Sequence, residues 1–119
     1  MEKWGVTTQT IEQEFQAYKA MYKKLWPVIK ERIALGEIAI YVHPWFGGAP
    51  TGQQVTEVLK VICCDRQKLL EWARKNNFDT GRMRVHVTRL KDVDVPHLDF
   101  WGPRSKDVFR RNRHLMVQL

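Results

Sequence analysis

Basic and polar side chains recur at every second position of the segment 82–90. They are Arg82, Arg84, His86 and Thr88. Because successive side chains of a β-strand point to opposite faces, a strand over this segment would put these four groups on one face and Met83, Val85 and Val87 on the other. Converging guanidinium and imidazole groups suit a phosphate or a carboxylate. The alternation therefore predicts an anion-binding face, the alternative being a half-exposed edge strand without a function.

The same segment contains a His-x-Thr triplet, His86-Val87-Thr88. It resembles half of the motif of the two-histidine phosphoesterases, in which a pair of such triplets supplies the acid, the base and the hydroxyl groups that hold the phosphate. No second triplet is present, because His43, His97 and His114 are followed by other patterns. The triplet therefore points to phosphate chemistry without completing the motif.

His97 and Asp99 are two residues apart and would share one face of an extended segment. The carboxylate could then orient the imidazole or join it on a metal ion, or Asp99 could serve only the turn before the last helix. A second functional hypothesis follows, a phosphoester hydrolase or nuclease that uses His86, His97 and Asp99. We expect no resident metal or cofactor, because no other close ligand spacing, dinucleotide fingerprint or Walker loop is present.

An aromatic pair lies in a segment rich in glycine and proline. Trp45 and Phe46 fall within residues 43–52, which contain three glycines and two prolines and are predicted to form a loop. On a mobile loop these rings could stack on a nucleic-acid base. The alternative is that they close an edge of the hydrophobic core.

The positive charge of the chain is unevenly distributed. The net charge is +7, and residues 82–119 contain nine Lys and Arg against four Asp. Such an excess attracts anions, although it could also be a solvated surface. The preferred hypothesis is a small basic binding module for an anionic partner, namely nucleic acid, a nucleotide or phosphate. Its proposed ligand-binding residues are Arg82, Arg84, His86, Thr88 and Arg104, with Trp45 or Phe46 stacking on a base.

The pattern of helices and strands predicts the fold that would position these groups. Strands are expected at Glu37–His43, Val55–Cys64, Arg82–Leu90 and His114–Leu119, with a short irregular or edge segment at Pro96–Trp101. Helices are expected over residues 10–26, after Asp65 and after Gly102. This order predicts an α+β or α/β fold with a single small sheet of about four strands under an N-terminal amphipathic helix and two further helices. Residues 1–119 are expected to form a single domain, with an N-terminal helical segment at 1–36 and an α/β core at 37–119.

The predicted N-terminal helix has an apolar stripe with helical spacing. Its members are Ile11, Phe15, Tyr18, Tyr22, Leu25 and Ile29, and the pattern is interrupted at Pro27. The stripe is expected to pack on the sheet. Alternatively it forms a homodimer seam along residues 11–29, and the third functional hypothesis is accordingly a protein–protein interaction module that acts through this helix.

The cysteine pattern and the N-terminus suggest a cellular location. Cys63 and Cys64 are adjacent, which disfavours a disulfide between them, and no disulfide framework exists. The first residues lack the apolar region of a signal peptide, and no apolar run approaches membrane length. The expectation is a cytoplasmic protein without a membrane partner.

Several short motifs after residue 37 occur in the same order in a known family. They are His43-Pro44-Trp45 after a strand, Cys63-Cys64-Asp65, the helix Leu69-Leu70-Glu71-Trp72-Ala73, Pro96-His97-Leu98-Asp99 and Arg104. Over residues 38–118 the chain resembles the domain of unknown function 4031, a family of small bacterial and phage proteins. The resemblance implies a prokaryotic or phage setting and a joint role for His97, Asp99 and Arg104, and it implies no particular activity.

Overall fold

The computed structural model describes residues 8–117 except 51 and 53. Its elements, in chain order, are α1 (Thr8–Ala20), α2 (Tyr22–Ala34), β1 (Ala39–Gly48), β2 (Gln54–Ile62), α3 (Arg66–Lys75), β3 (His86–Leu90), β4 (Val93–Phe100), α4 (Gly102–Arg111) and a 3-10 turn (Arg113–Leu115). The strands form one antiparallel sheet in the order β1-β2-β4-β3, and the helices pack against it. The predicted α+β fold with a single sheet of about four strands is confirmed, with two helices in place of one at the N-terminus.

Each face of the sheet carries its own hydrophobic cluster. The back face is covered by α1, α3 and α4, and its largest buried residues include Phe15, Leu59, Trp72, Phe100 and Phe109. The front face is covered by α2, and its buried residues are Leu25, Ile29, Ile33, Ala39, Tyr41, Ile62, Val95 and Val117. Alternation along the strands produces this division, since neighbouring residues of β1, such as Ile40 and Tyr41, belong to opposite clusters.

The N-terminal helical segment breaks earlier than the sequence predicts. Pro27 lies inside α2, and the interruption falls at Met21, between α1 and α2. The cause is tertiary: α1 packs on the back face and α2 on the front face, so the chain must pass around the edge of the sheet. Tyr18, near the end of α1, packs against both clusters.

The apolar stripe of this segment packs against the two faces of the sheet. Ile11, Phe15, Leu25 and Ile29 are all at least 94% buried, the first two on the back face and the last two on the front face. The stripe thus packs on the sheet, and these residues are not exposed for the seam proposed along residues 11–29.

The predicted strand Arg82–Leu90 is wrong in its first half. Strand β3 begins only at His86, and residues 82–85 form a turn and an irregular segment. The backbone N–H of Arg82 donates to the carbonyl of Asp79, and Met83 and Val85 pack against the back-face cluster. This packing draws the segment away from β4.

The predicted division of this strand into an apolar and a polar face is also wrong. Within β3 the partly buried positions are His86, Thr88 and Leu90, whereas Val87 is 57% exposed. Arg82 and Arg84 therefore share no strand face with His86. Regular alternation applies only where the backbone stays extended, and here it does not.

Two further segments form strands where loops or edges are predicted. Strand β1 continues through Trp45 and Phe46 to Gly48, with a shift in register between Pro44 and Gly47 that marks a bulge. The segment predicted as irregular or edge at Pro96–Trp101 belongs to β4, a central strand between β2 and β3. Pro96 lies one residue beyond the pairing of β4 with β2, which ends at His97, so its missing N–H interrupts no bond of that ladder, and its carbonyl accepts a hydrogen bond from the backbone N–H of Cys63.

Helix α3 has the boundaries that the sequence predicts. The Asp65 side chain accepts a hydrogen bond from the backbone N–H of Lys68 at 3.2 Å, which caps the helix. The helix ends at Asn76, and Asn77 adopts a left-handed conformation with φ of 65°. This turn directs the chain from α3 towards Phe78 and the segment before β3.

The C-terminal end differs from the predicted strand His114–Leu119. The 3-10 turn occupies Arg113–Leu115, and Met116 makes a single parallel bridge to Ile40 of β1. Residues 118 and 119 lie outside the described part of the chain. The end of the chain therefore adds a bridge to β1 and forms no strand up to residue 117.

Two further observations concern the cysteines and the lengths of the helices. Cys63 is buried and Cys64 is exposed, and both are free thiols. Within the described residues, no helix has the length and apolar character needed to cross a membrane.

Candidate functional site

A row of polar side chains crosses the front face of the sheet beyond the cover of α2. The strand register pairs Tyr41 of β1 with Lys60 of β2, and Lys60 with Asp99 of β4. The next row pairs His97 of β4 with His86 of β3. Because paired residues of antiparallel strands project from the same face, the register brings three strands' polar groups together.

Asp99 is the centre of this group. Its carboxylate accepts hydrogen bonds from Nδ1 of His97 at 3.0 Å and from Nζ of Lys60 at 3.1 Å. Nε2 of His86 lies 3.9 Å from the other carboxylate oxygen. We call Lys60, His86, His97 and Asp99 the Asp99 cluster. It joins a carboxylate to three groups that carry or can accept a positive charge.

The two histidines of the Asp99 cluster differ in access to solvent. Their rings stack with centroids 5.5 Å apart and an interplanar angle of 21°. His97 is buried, whereas the His86 side chain is 37% exposed. His86 is therefore the imidazole that can meet a ligand, and His97 supports the cluster from beneath.

The charge state of Asp99 follows from these contacts. Burial acts to raise the pKa of Asp99, but the hydrogen bond from His97 and the positive charge of Lys60 outweigh it, and the pKa is lowered. Asp99 is therefore an ionised carboxylate near neutral pH. Its negative charge is paired with Lys60 and also lies 3.9 Å from Nε2 of His86.

A cleft opens where β3 and β4 part. Strand β3 pairs with β4 only as far as His97, while β4 continues to Phe100. Beside this unpaired end lies a cleft of about 510 Å3, closed by the segment after α3 and by the start of α4. Its polar and charged lining residues are Asn77, Asp79, Arg82, Arg84, His86, Asp99 and Arg104, and its other lining residues include Phe78, Leu98, Phe100 and Trp101.

The arginines give the cleft a positive character. Arg84 and Arg104 are exposed, and no carboxylate of a described residue lies within 4.0 Å of either guanidinium. Arg82, by contrast, has an acidic partner, since its Nε lies 3.6 Å from a carboxylate oxygen of Asp79. Arg104 lies in the first turn of α4, whose N-cap Trp101 makes no side-chain cap hydrogen bond. The N-terminal end of the helix adds partial positive charge near Arg104, although Pro103 in that turn has no N–H to offer.

The predicted aromatic pair lies outside the cleft. Phe46 is 95% exposed on β1, and Trp45 packs edge-on against Trp101 with ring centroids 5.4 Å apart. The rings that do line the cleft are Trp101, Phe78 and Phe100. Trp45 thus contributes only by supporting Trp101.

The structure therefore divides the residues predicted from the sequence. Those that line the cleft are Arg82, Arg84, His86, Asp99 and Arg104. His97 lies beneath them, bonded to Asp99. Thr88 lies two residues along β3, opposite Val95, and does not line the cleft.

Sequence reasoning missed Lys60, Phe78 and Trp101. Lys60 had a usable signal, because it is the only charged residue in the apolar run 58–64 and a charge in such a strand requires a partner. Phe78 and Trp101 follow the ends of α3 and β4 and carried no comparable signal.

The site offers no ready-made metal centre. Across residues 8–117, apart from the two that the structure omits, no three His, Cys, Asp or Glu side chains form a group that could hold a metal ion.

In comparisons with known proteins, no family model, curated protein or solved structure matches the chain. The resemblance to the domain of unknown function 4031 stays a prediction.

Proposed function

We propose that the cleft binds a phosphate group of a single-stranded nucleic acid. The observation that carries this proposal is the convergence of Arg84, Arg104 and His86 on one cleft. These residues belong to three different segments, the turn before β3, helix α4 and β3 itself. Guanidinium groups without a carboxylate partner remain free to bind a phosphate oxygen with two hydrogen bonds.

The balance of charge favours an anion. Asp99 and Asp79 are the acidic residues of the cleft, and Asp99 is bonded to Lys60. Asp79 is paired with Arg82 at 3.6 Å, so the guanidinium groups of Arg84 and Arg104 and the N-terminal turn of α4 remain to act on a ligand. A phosphate is the anion that matches several planar donors and a helix N-terminus at once.

The aromatic wall favours a nucleotide over free phosphate. Phe78 and Trp101 stand in the same cleft as the arginines. An aromatic ring stacked on a base contributes about 1–3 kcal/mol, whatever the base. The volume of about 510 Å3 lies within the usual range for small-ligand pockets, about 300–1,000 Å3. A base reaches such a wall from a single strand, because in a duplex it stays stacked within the helix.

The proposal is tested by fluorescence anisotropy with a labelled 2′-O-methyl RNA strand of about ten nucleotides. Arg84→Gln and Arg104→Gln should each weaken binding about 10-fold to 150-fold, because a hydrogen bond to a charged group contributes about 1.5–3 kcal/mol. Each change should also reduce the slope of log Kd against log salt by about 0.7, the value for one phosphate contact on a single strand.

Arg66→Gln provides the matched control. Arg66 is exposed at the start of α3, lies outside the cleft and has no carboxylate of a described residue within 4.0 Å. Arg66→Gln removes one positive charge, as each cleft variant does. It should therefore change Kd less than about twofold, the effect expected from the loss of a single distant charge. Equal losses in all three variants would attribute binding to net charge and would reject the cleft.

A further inference from the structure

We propose that this cleft cleaves the phosphodiester bond of RNA, with His86 as the general base. The inference rests on the proposed binding of a nucleic-acid phosphate there. It adds a reaction, a substrate class and a catalytic residue to that function.

The first argument is the setting of His86. Nε2 faces the carboxylate of Asp99 at 3.9 Å, and Nδ1 has no hydrogen bond to any residue that the structure describes. The ring is half-exposed on the wall of the cleft. Nδ1 is thus the nitrogen that can exchange a proton with a ligand.

The second argument is the fixed charge behind His86. Asp99 cannot swing away, because Lys60 and His97 both bond to it. A carboxylate held beside an imidazole stabilises the imidazolium that forms when the ring takes a proton. His97, stacked on His86, fixes the plane of the ring and is a positioning residue.

The third argument concerns the nucleophile. None of the side chains that line the cleft in the described part of the chain is a serine, threonine, cysteine or lysine. The two carboxylates of the lining, Asp79 and Asp99, are paired with Arg82 and Lys60, so we assign the attack to a group of the ligand or to water. In RNA the 2′-hydroxyl is already next to the phosphorus, and such intramolecular placement replaces the entropy cost of bringing in a second molecule. The cleft therefore suits RNA, whose own hydroxyl completes the site.

The step balances without a further reactant. Nδ1 of His86 takes the proton of the 2′-hydroxyl while the 2′-oxygen forms a bond to phosphorus. The bond from phosphorus to the 5′-oxygen breaks with its electron pair, and that oxygen takes a proton from solvent. The products are a 2′,3′-cyclic phosphate and a 5′-hydroxyl, and His86 returns its proton to water. Arg84 and Arg104 stabilise the extra negative charge on the phosphoryl oxygens.

The test follows cleavage of an RNA strand and of its DNA and 2′-O-methyl counterparts, with binding of each measured in parallel. RNA should yield a 2′,3′-cyclic phosphate, and the other two strands should bind but stay intact. His86→Gln should reduce the single-turnover cleavage rate, measured with protein at saturating concentration, about 100-fold or more, as loss of a general base does. His114→Gln, at an exposed histidine outside the cleft, is the control and should cleave normally.

The outcomes separate this inference from the function on which it rests. Binding without cleavage, equal cleavage by His86→Gln, or cleavage of the 2′-O-methyl strand each overturns the catalytic role and leaves the binding proposal intact. If the wild-type protein binds none of the three strands, the binding proposal fails first and the reaction falls with it. The 2′-O-methyl strand keeps the test valid even if His86→Gln does not fold.

Discussion

Asp99 shows how a single buried charge organises its neighbours. An ionised carboxylate in a sheet costs free energy unless it is paired and hydrogen-bonded, and Asp99 has Lys60 and His97 as direct partners. These partners lower its pKa although burial opposes them. The same contacts fix the carboxylate beside His86, so stabilisation of the charge and orientation of the imidazole arise from one arrangement.

The lowered pKa of Asp99 predicts how stability depends on pH. A carboxyl with a lower pKa in the folded state stabilises the fold above its ordinary value, about 3.9, and this contribution is lost as the pH falls through the folded value. Asp99→Asn should therefore lower the free energy of unfolding by about 3 kcal/mol at pH 7, because it leaves Lys60 without its charge partner. The difference should shrink as the pH falls below about 4, the ordinary pKa of the carboxyl, measured by urea denaturation.

Asp94→Asn serves as the comparison at an exposed site. Asp94 pairs with Arg89, and both side chains are more than 60% exposed. Its loss should cost less than about 1 kcal/mol at every pH. A gap between wild type and Asp99→Asn that stays constant down to pH 2 would contradict the ionised, paired carboxylate.

The segment after α3 and the start of α4 close the cleft, and one buried side chain links these two helices. Asn112, at the end of α4, accepts a hydrogen bond from Nε1 of Trp72 at 3.1 Å. Its amide nitrogen donates to Oδ1 of Asn76 at 3.0 Å and to the carbonyl of Val108. This network fixes the end of α3, from which Phe78 enters the cleft, relative to α4, which supplies Arg104.

Loss of the hydrogen bond between Trp72 and Asn112 should lower the free energy of unfolding. Asn112→Ala leaves Nε1 of the buried Trp72 without an acceptor, and an unsatisfied buried donor costs about 1–3 kcal/mol. Trp72→Phe removes that donor, so Asn112→Ala should cost at least about 1 kcal/mol less in the Trp72→Phe background. Urea denaturation of the four proteins in this double-mutant cycle measures the coupling, and simple additivity would show that the Trp72–Asn112 bond contributes nothing.

On the scale of the whole molecule, one sheet is shared by two hydrophobic clusters. The front cluster lies under α2 and the back cluster lies under α1, α3 and α4, and Tyr18 contacts both. Neither cluster retains its shape without the strands between them. The cleft lies at the end of that sheet, so its geometry depends on both clusters.

The shared sheet predicts a single cooperative unfolding transition. Ile29→Ala in the front cluster and Phe15→Ala in the back cluster should each lower the free energy of unfolding, by about 2–5 and 3–5 kcal/mol. In both variants the urea transitions followed by tryptophan fluorescence and by far-ultraviolet circular dichroism should coincide. Two separated transitions in either variant would show that the clusters unfold independently.

Local patterns were sufficient for much of the fold. The capping residue Asp65 located the start of α3, and the strand predicted at Val55–Cys64 located β2, because these signals act over a few residues. The same reasoning selected Arg84, His86, Asp99 and Arg104 as candidates. All four do line the cleft.

The strand face that was predicted to join Arg84 and His86 was wrong, however. The four residues come from different segments of the chain. They meet because β3 begins late, because the packing of Met83 and Val85 turns the preceding segment away from β4, and because α4 begins beside the gap. Lys60 joins Asp99 only through strand register.

Residue types, local spacing and charge thus specified the class of fold, the strand β2, the start of α3 and several polar groups of the cleft from sequence alone. The register of β2 against β4, the break at Met21 and the cleft between β3 and α4 came from the folded chain. Pairing between strands joins residues that are distant in sequence, and the burial of both sheet faces selects among registers that local preferences leave nearly equal in energy.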